Sequence, residues 1–206
     1  MNTNLPSRHL DHSGGYTLLE MVIVISIIGI ILPALFASIT SIYTNHTGIL
    51  SHALALTKTQ RGLNEMVRDV RAAAYAEDGS LPIVSISTSS LTFYTDTDLD
   101  GRIEQVRYYI ASTSLFRSII EPTSTSSYPT STTATKTLTT DVQNGILGVA
   151  LFQYYSATGT PITNFSNTLD VRRVVIEVLA KTAYMRNAST VRLRSSASIR
   201  NLKNVY

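Results

Sequence analysis

The residues whose types and spacing best suit chemistry are four acidic side chains within the segment 96–104. The segment reads Asp96-Thr97-Asp98-Leu99-Asp100-Gly101-Arg102-Ile103-Glu104. Carboxylates at alternate positions followed by glycine reproduce the first half of a calcium-binding loop, in which oxygens converge on a hard cation and glycine permits a sharp bend. The pattern therefore predicts a calcium site that uses Asp96, Asp98, Asp100, the carbonyl of Arg102 and Glu104.

The second half of this segment departs from an EF-hand loop. The twelfth loop position, which should be a bidentate glutamate, is Arg107, and the flanking stretches 91–94 and 105–109 are typical of strands rather than helices. An Asp-Gly turn that joins two strands, with the aspartates capping backbone N–H groups, explains the same residues without a metal. Two interpretations stay open: a calcium site at a hairpin tip, and a plain turn.

No other segment has the pattern of a catalytic site. The chain has four histidines and no cysteine. His9 and His12 lie near the N-terminus, and the spacing of His46 and His52 does not place them on one helix face. Neither a nucleophile elbow nor a phosphate-binding glycine loop is present in the sequence. We therefore expect a protein that is not an enzyme and that folds without disulfides.

A second chemical feature is a lone carboxylate at the start of a long apolar segment. Gly14-Gly15-Tyr16-Thr17-Leu18-Leu19-Glu20 runs directly into the apolar stretch 21–42, and no Asp, Glu, Lys or Arg occurs from 21 to 57. At about 1.5 Å per residue this stretch can cross a hydrocarbon layer about 30 Å thick. A charge inside such a segment costs roughly 2.5–3.5 kcal/mol, so we expect Glu20 to be functional, with an amine as its partner.

This junction resembles the class III signal of type IV prepilins and type II secretion pseudopilins. Gly15, Tyr16 and Glu20 match the glycine, the first mature residue and the fifth-position glutamate of that family. The resemblance implies that a membrane prepilin peptidase cuts after Gly15 on the cytoplasmic side and methylates the new amino group of Tyr16. It also implies that Glu20 pairs with the amino terminus of a neighbouring subunit and sets the register of a fibre. An ordinary secretory signal is disfavoured because the glycines precede the apolar core.

The remainder of the chain must supply the elements that position these residues. Helical spacing of apolar residues continues to about residue 76, and from residue 81 the period changes to two, which is typical of antiparallel sheet. The expected fold class is α+β, a lollipop in which a long N-terminal membrane-spanning helix packs on a C-terminal antiparallel β-sheet head. The predicted divisions are a cleaved leader (1–15), the helix (16–76, membrane-spanning to about 42) and the head (80–206).

Within the head, strands are predicted at 83–87, 91–95, 103–110, 115–120, 146–155, 171–180 and 191–200. The segment 123–140, which is largely Ser and Thr, is predicted to be a surface loop because it cannot bury enough apolar area to offset its ordering entropy. Alternation near residue 175 predicts a wet sheet face that carries Arg173, Val175 and Glu177. The strands from 91 to 120 and the last strand resemble those of J/W-type minor pseudopilins and minor pilins.

The basic C-terminal stretch gives a hypothesis of another kind. Arg192, Arg194 and Arg200 are separated by even numbers of residues, so in a continuous strand they would share a face and could neutralise phosphates of nucleic acid. Arginines scattered over the wet face of a sheet explain the same pattern, and aromatic residues that could stack on bases are not interleaved with them. Structural arginines are therefore the alternative to DNA contact.

Together these features predict a minor pilin or pseudopilin, a structural subunit of a type IV pilus or a type II secretion-like fibre. Its expected partners are other pilins, the prepilin peptidase, the inner-membrane assembly platform and, before assembly, membrane lipid. Before assembly the protein would be a single-pass membrane protein with a cytoplasmic N-terminus and an extracytoplasmic head. After assembly it would be part of a cell-surface or periplasm-spanning fibre. The alternatives are a membrane-tethered, calcium-stabilised adhesin or sensor head, and a pilus subunit that contacts DNA.

Overall fold

Helix α1 (Leu18–Arg71) begins with a capped first turn. The hydroxyl of Thr17 accepts a hydrogen bond from the backbone N–H of Glu20 at 3.2 Å, which satisfies one of the donors that a helix start leaves free. The segment Leu18–Tyr43 has a mean hydropathy of 2.8 and is long and apolar enough to cross a membrane. This agrees with the predicted span to about residue 42.

The computed structural model describes the backbone of residues 15–123, 127–131, 134–184 and 187–200, and their side chains except those of 44–52 and 182–189. Residues 1–14, most of the predicted leader, therefore lie outside the described part, as do 124–126 and 132–133 of the predicted loop. Two compact units are present, Met1–His46 and Thr47–Tyr206. The second unit thus includes the C-terminal part of α1 together with the sheets.

The apolar half of α1 continues through a proline. Pro33 has no backbone N–H, so the carbonyl of Gly29, four residues earlier, has no donor within the helix. Glycine is itself a poor helix former because it loses more backbone entropy than other residues. The hydrogen bond that Pro33 cannot donate and one of the least helix-favouring residues therefore coincide in the same turn.

Two antiparallel sheets form the C-terminal region. The first has the strand order β1-β2-β3-β4-β5 and the second has the order β7-β6-β8-β9. The strands of the first sheet are β1 (Ile83–Ile86), β2 (Ser90–Thr95), β3 (Glu104–Ala111), β4 (Ser114–Ile120) and β5 (Ala134–Thr139). Those of the second are β6 (Phe152–Tyr155), β7 (Pro161–Ile162), β8 (Arg173–Tyr184) and β9 (Asn187–Ser198). A long apolar helix followed by antiparallel sheet confirms the predicted α+β fold class.

One hydrophobic core joins the C-terminal part of α1 to both sheets. Met66 of α1, Val106 and Tyr108 of β3, and Val174 and Ile176 of β8 are all fully buried in it. The buried helix positions recur at intervals of three and four, which is why one stripe of the helix faces the sheets. Burial of these side chains from water supplies the main stabilisation of this unit.

The helix ends earlier than predicted, at Arg71 instead of residue 76. The backbone N–H of Ala72 is shared between the carbonyls of Arg68 and Asp69, both at 3.1 Å, which tightens the last turn. The N–H of Ala74 then bonds to the carbonyl of Tyr94 in β2 at 2.9 Å. The N–H of Ala73 still bonds to the carbonyl of Val70 at 3.4 Å, so the chain leaves the helix at Ala74, where the backbone donor is taken by the sheet.

The prediction that 123–140 is entirely loop is wrong, because Ala134–Thr139 forms the edge strand β5, paired with β4. Its single apolar side chain in the buried part, Leu138, lies against Gly62 of α1, where an added Cβ would come within 3.2 Å of the Leu138 Cβ. The hydroxyls of Thr59 and Thr139 are hydrogen-bonded at 3.0 Å. Contact with the helix, rather than apolar content of the segment, fixes this strand.

The predicted strand 146–155 is also wrong in its first half, since β6 covers only Phe152–Tyr155. The side chain of Asn144 replaces backbone pairing there. Its Nδ2 donates to the carbonyl of Glu177 at 2.7 Å, and its Oδ1 accepts from the N–H of Leu179 at 2.8 Å. Because this side chain already bonds to the two backbone groups of β8, the chain from 145 to 150 leaves the sheet. It returns at Leu151.

Candidate functional site

The predicted processing site lies at the entrance to α1. Gly15 and Tyr16 precede the helix outside regular secondary structure, and Tyr16 is 80% exposed. A Cβ added to Gly15 would meet no atom within 4 Å. No contact in the described structure therefore requires glycine at this position.

Glu20 lies in the first turn of α1 and is exposed. Its backbone takes part in the cap formed by Thr17, but among the residues that the structure describes no Lys, Arg or His nitrogen pairs with its carboxylate. A carboxylate in the first turn interacts favourably with the positive end of the helix dipole. Its charge is consequently tolerated at this helix end and free to accept a partner from another chain.

The four acidic side chains predicted to bind calcium come together at the tip of the β2–β3 hairpin. Asp96 accepts the N–H groups of Leu99 and Gly101 at 2.6 and 3.1 Å, while Asp98 and Asp100 each accept the N–H of the residue two positions later, at 3.3 and 2.8 Å. Gly101 has φ +88°, as the predicted Asp-Gly turn requires. The turn and the grouping of carboxylates thus occur in the same loop.

Glu104 completes this group from the first position of β3, where its register partner is Thr95 at the end of β2. Its Oε2 accepts the N–H of Thr97 at 2.7 Å. Although Glu104 is fully buried, its Oε1 has no hydrogen-bond partner. Burial raises the pKa of this carboxyl, as do the nearby charges of Glu121 and Asp98, against the lowering effect of the Thr97 N–H.

A buried polar cluster between α1 and the first sheet was not predicted. Asp69, 3% exposed, accepts the Tyr108 hydroxyl at 2.7 Å and Nη2 of Arg117 at 3.0 Å. Glu65 extends it, 3.6 Å from Nε of Arg117 and 2.9 Å from Nζ of Lys136. The available signal was the position of Asp69 on the apolar stripe of the helix, three residues after Met66. Every charge here has a protein partner, which indicates a structural role.

The predicted wet face of β8 is wrong at its centre, because Val175 and Glu177 are buried. Arg192 and Arg194 of β9 lie across Glu177, with N–O distances of 2.7 and 3.8 Å. Their long side chains cover a carboxylate that alternation alone would leave in water. Arg200 lies beyond the end of β9, so the three arginines predicted to form one DNA-binding face do not share one strand. Nucleic-acid contact stays a prediction.

Comparison with known proteins bears on the N-terminal segment. A family model described as the prokaryotic N-terminal methylation motif matches residues 10–32. No curated protein sequence matches the chain. The motif is that of type IV prepilin-like proteins, which are structural rather than enzymatic and in general are processed by a prepilin peptidase and assemble with other pilins. At the start of a helix able to span a membrane, the chain therefore carries the N-terminal methylation motif of type IV pilin-like proteins.

Proposed function

We propose that this protein is a minor pilin or pseudopilin, a structural subunit of a type IV pilus or a type II secretion-like fibre. The observation that carries the proposal is the methylation motif at 10–32 running directly into the uncharged helix segment Leu18–Tyr43. A signal that only directs export needs no lone carboxylate at the start of the apolar segment, where the charge is costly. A subunit that must pair with a neighbour does need one.

Each residue of the junction has a distinct role in this proposal. Gly15 is exposed, lies outside regular secondary structure and has no steric reason to be glycine within the chain, so the requirement would come from a peptidase that binds this backbone closely. Tyr16 would carry the new, methylated amino terminus. Glu20 would pair with the amino terminus of the neighbouring subunit, which cancels both charges inside the apolar helix array.

The apolar segment of the helix would have one role before assembly and another after it. Before assembly the segment Leu18–Tyr43 holds the protein in the inner membrane, with the N-terminus cytoplasmic, and afterwards it packs against the helices of other subunits. All of its large apolar side chains are exposed in the isolated chain, as packing against other subunits requires. The assembly platform and the peptidase are the other proposed partners.

Mass spectrometry of the N-terminal peptide tests the processing step. In cells that contain the prepilin peptidase, we expect the protein to begin at methylated Tyr16, and in cells without it to retain residues 1–15. Gly15→Val should block cleavage, whereas Gly14→Val should leave it unchanged. A leader retained in the presence of the peptidase would contradict the proposal and favour a membrane-tethered binding module.

Fibre incorporation tests the role of Glu20 separately from processing. Glu20→Gln keeps the size and helix propensity of the side chain but removes its charge, so the variant should be cleaved normally yet be absent from sheared fibres. Ser26→Ala is a matched control, because Ser26 only donates a hydrogen bond to the Val22 carbonyl within the same helix. Normal incorporation of the Glu20 variant would refute pairing. The amount of protein per fibre, relative to the most abundant subunit, distinguishes a minor from a major subunit.

A further inference from the structure

We infer that the tip of the β2–β3 hairpin is a calcium site built from Asp96, Asp98, Asp100 and Glu104. The inference is independent of the proposed role in a fibre. Two interpretations were open from the sequence, a metal loop and a plain Asp-Gly turn. The geometry of the carboxylates and the state of Glu104 distinguish them.

The ligand atoms are already grouped at the size of a calcium shell. One carboxylate oxygen from each of Asp96, Asp98, Asp100 and Glu104 lies within 4.8 Å of all the others. Two ligands on opposite sides of a calcium ion, each at about 2.4 Å, are about 4.8 Å apart, whereas two ligands of magnesium at about 2.05 Å are about 4.1 Å apart. Water and backbone carbonyls, that of Arg102 among them, would supply the remaining oxygens.

Glu104 is the observation that a plain turn does not explain. A turn needs its side chains only as acceptors for nearby N–H groups, and Oε2 of Glu104 does this for Thr97. Oε1 is buried with no partner, in a residue that is fully buried. Native proteins rarely leave a buried carboxylate oxygen unsatisfied, and a bound cation is one of the explanations for such an atom. One oxygen of this same carboxylate belongs to the grouped set, so a cation held by the group would bind at this side chain.

Charge supports the same conclusion. None of these four carboxylates has an ion-pair partner among the residues that the structure describes. The one basic side chain within the loop, Arg102, instead donates a hydrogen bond from Nη2 to the carbonyl of Pro122. Four carboxylates this close repel one another, and a divalent cation removes that repulsion.

The site would also stabilise the chain that follows α1. Ile103, between the ligands Asp100 and Glu104, donates its N–H to Oε1 of Glu77 at 3.2 Å, and its carbonyl accepts the Tyr128 hydroxyl at 2.7 Å. The oxygen of Tyr128 in turn accepts the N–H of Glu77 at 3.1 Å. A cation that fixes the loop therefore fixes the contacts of Glu77, just beyond the helix.

Thermal unfolding of the full chain in detergent, with calorimetric titration of CaCl₂, tests the inference. Calcium sites of extracellular modules have Kd values of about 10⁻⁴–10⁻³ M. At roughly 10 mM CaCl₂ we therefore expect Tm to rise by about 3–11 °C relative to chelator. The same concentration of MgCl₂ should give less than half of this shift. Equal Tm values in calcium and chelator, or an equal shift with magnesium, would overturn the inference.

Variants locate the site. Asp98→Asn changes an exposed side chain and should weaken calcium binding at least tenfold without unfolding the protein. Glu104→Gln should do the same and tests the buried ligand. Asp170→Asn, an exposed carboxylate outside the cluster, should leave the calcium shift unchanged. An unchanged shift in Asp98→Asn would overturn the assignment even if Glu104→Gln fails to fold.

Discussion

The change Asp69→Asn isolates the charge of the carboxylate buried between α1 and the first sheet. Asparagine keeps the size of the side chain and one acceptor for the Tyr108 hydroxyl. It removes the nearest counter-charge of the Arg117 guanidinium, because in the wild type Nη2 of Arg117 lies 3.0 Å from Oδ2 of Asp69. Breaking a buried ion pair costs about 3–5 kcal/mol. Glu65 remains 3.6 Å from Arg117, so we expect the lower end, about 3 kcal/mol.

Urea and thermal unfolding of the full chain, followed by circular dichroism, measure this loss. At about 2–4 °C per kcal/mol, Tm should fall by roughly 6–12 °C. Arg68→Ala is the matched control, because exposed Arg68 contacts the same carboxylate at 3.1 Å. Loss of an exposed pair should cost less than about 1 kcal/mol.

A double-mutant cycle completes the test. Arg117→Met removes the charge that Asp69→Asn leaves unpaired, so the second change should cost much less in the asparagine background than in the wild type. A loss below about 1 kcal/mol for Asp69→Asn, or strictly additive effects of the two changes, would refute the view that this buried pair joins helix to sheet.

Three further changes test other parts of the head. Asn144→Leu should cost about 2–4 kcal/mol in urea unfolding, because two backbone groups of β8 lose their partners, and an unchanged midpoint would contradict this. Burial raises the pKa of Tyr108 and Tyr154, so their contribution to stability is complete below the unfolded-state pKa of about 10 and should fall above it by about 1.4 kcal/mol per pH unit for each tyrosine. Tyr154→Phe should therefore make the measured slope shallower by about 1.4 kcal/mol per pH unit. Leu99→Asn should raise stability in chelator by about 0.5–1 kcal/mol, since Leu99 is 87% exposed with φ +67°, and a loss would be contrary to expectation.

Local patterns predicted the elements that depend on local residues. The hairpins from β2 to β4 follow from alternation and from a turn in which Gly101 supplies the positive φ, all within neighbouring residues. The start of α1 and its membrane-length segment follow from an uninterrupted apolar run after a small set of polar residues. In both cases the signal and the element occupy the same stretch of chain.

Distant partners decided the parts that the sequence did not predict. Strand β5 depends on the space left by Gly62 on the helix, and the sequence of residues 134–139 does not indicate this contact. Glu177 was expected in water because charge is costly to bury, but Arg192 from β9 meets it. No role was predicted for Asp69, whose partner Arg117 comes from β4. The acidic loop was predicted as a group, whereas the burial of Glu104 needed the pairing of β2 with β3.

The coincidence of Gly29 and Pro33 makes one turn of the apolar helix easier to extend along the helix axis than its neighbours. The turn they share lacks the hydrogen bond that a residue other than proline would donate, so we expect it to extend first under tension. Extending four residues from about 1.5 to about 3.3 Å per residue lengthens the helix by about 7 Å. If the protein assembles into the proposed fibre, the fibre should extend before it breaks, and Pro33→Ala should make it stiffer in force-extension measurements. Absence of any change in stiffness would place the compliance elsewhere.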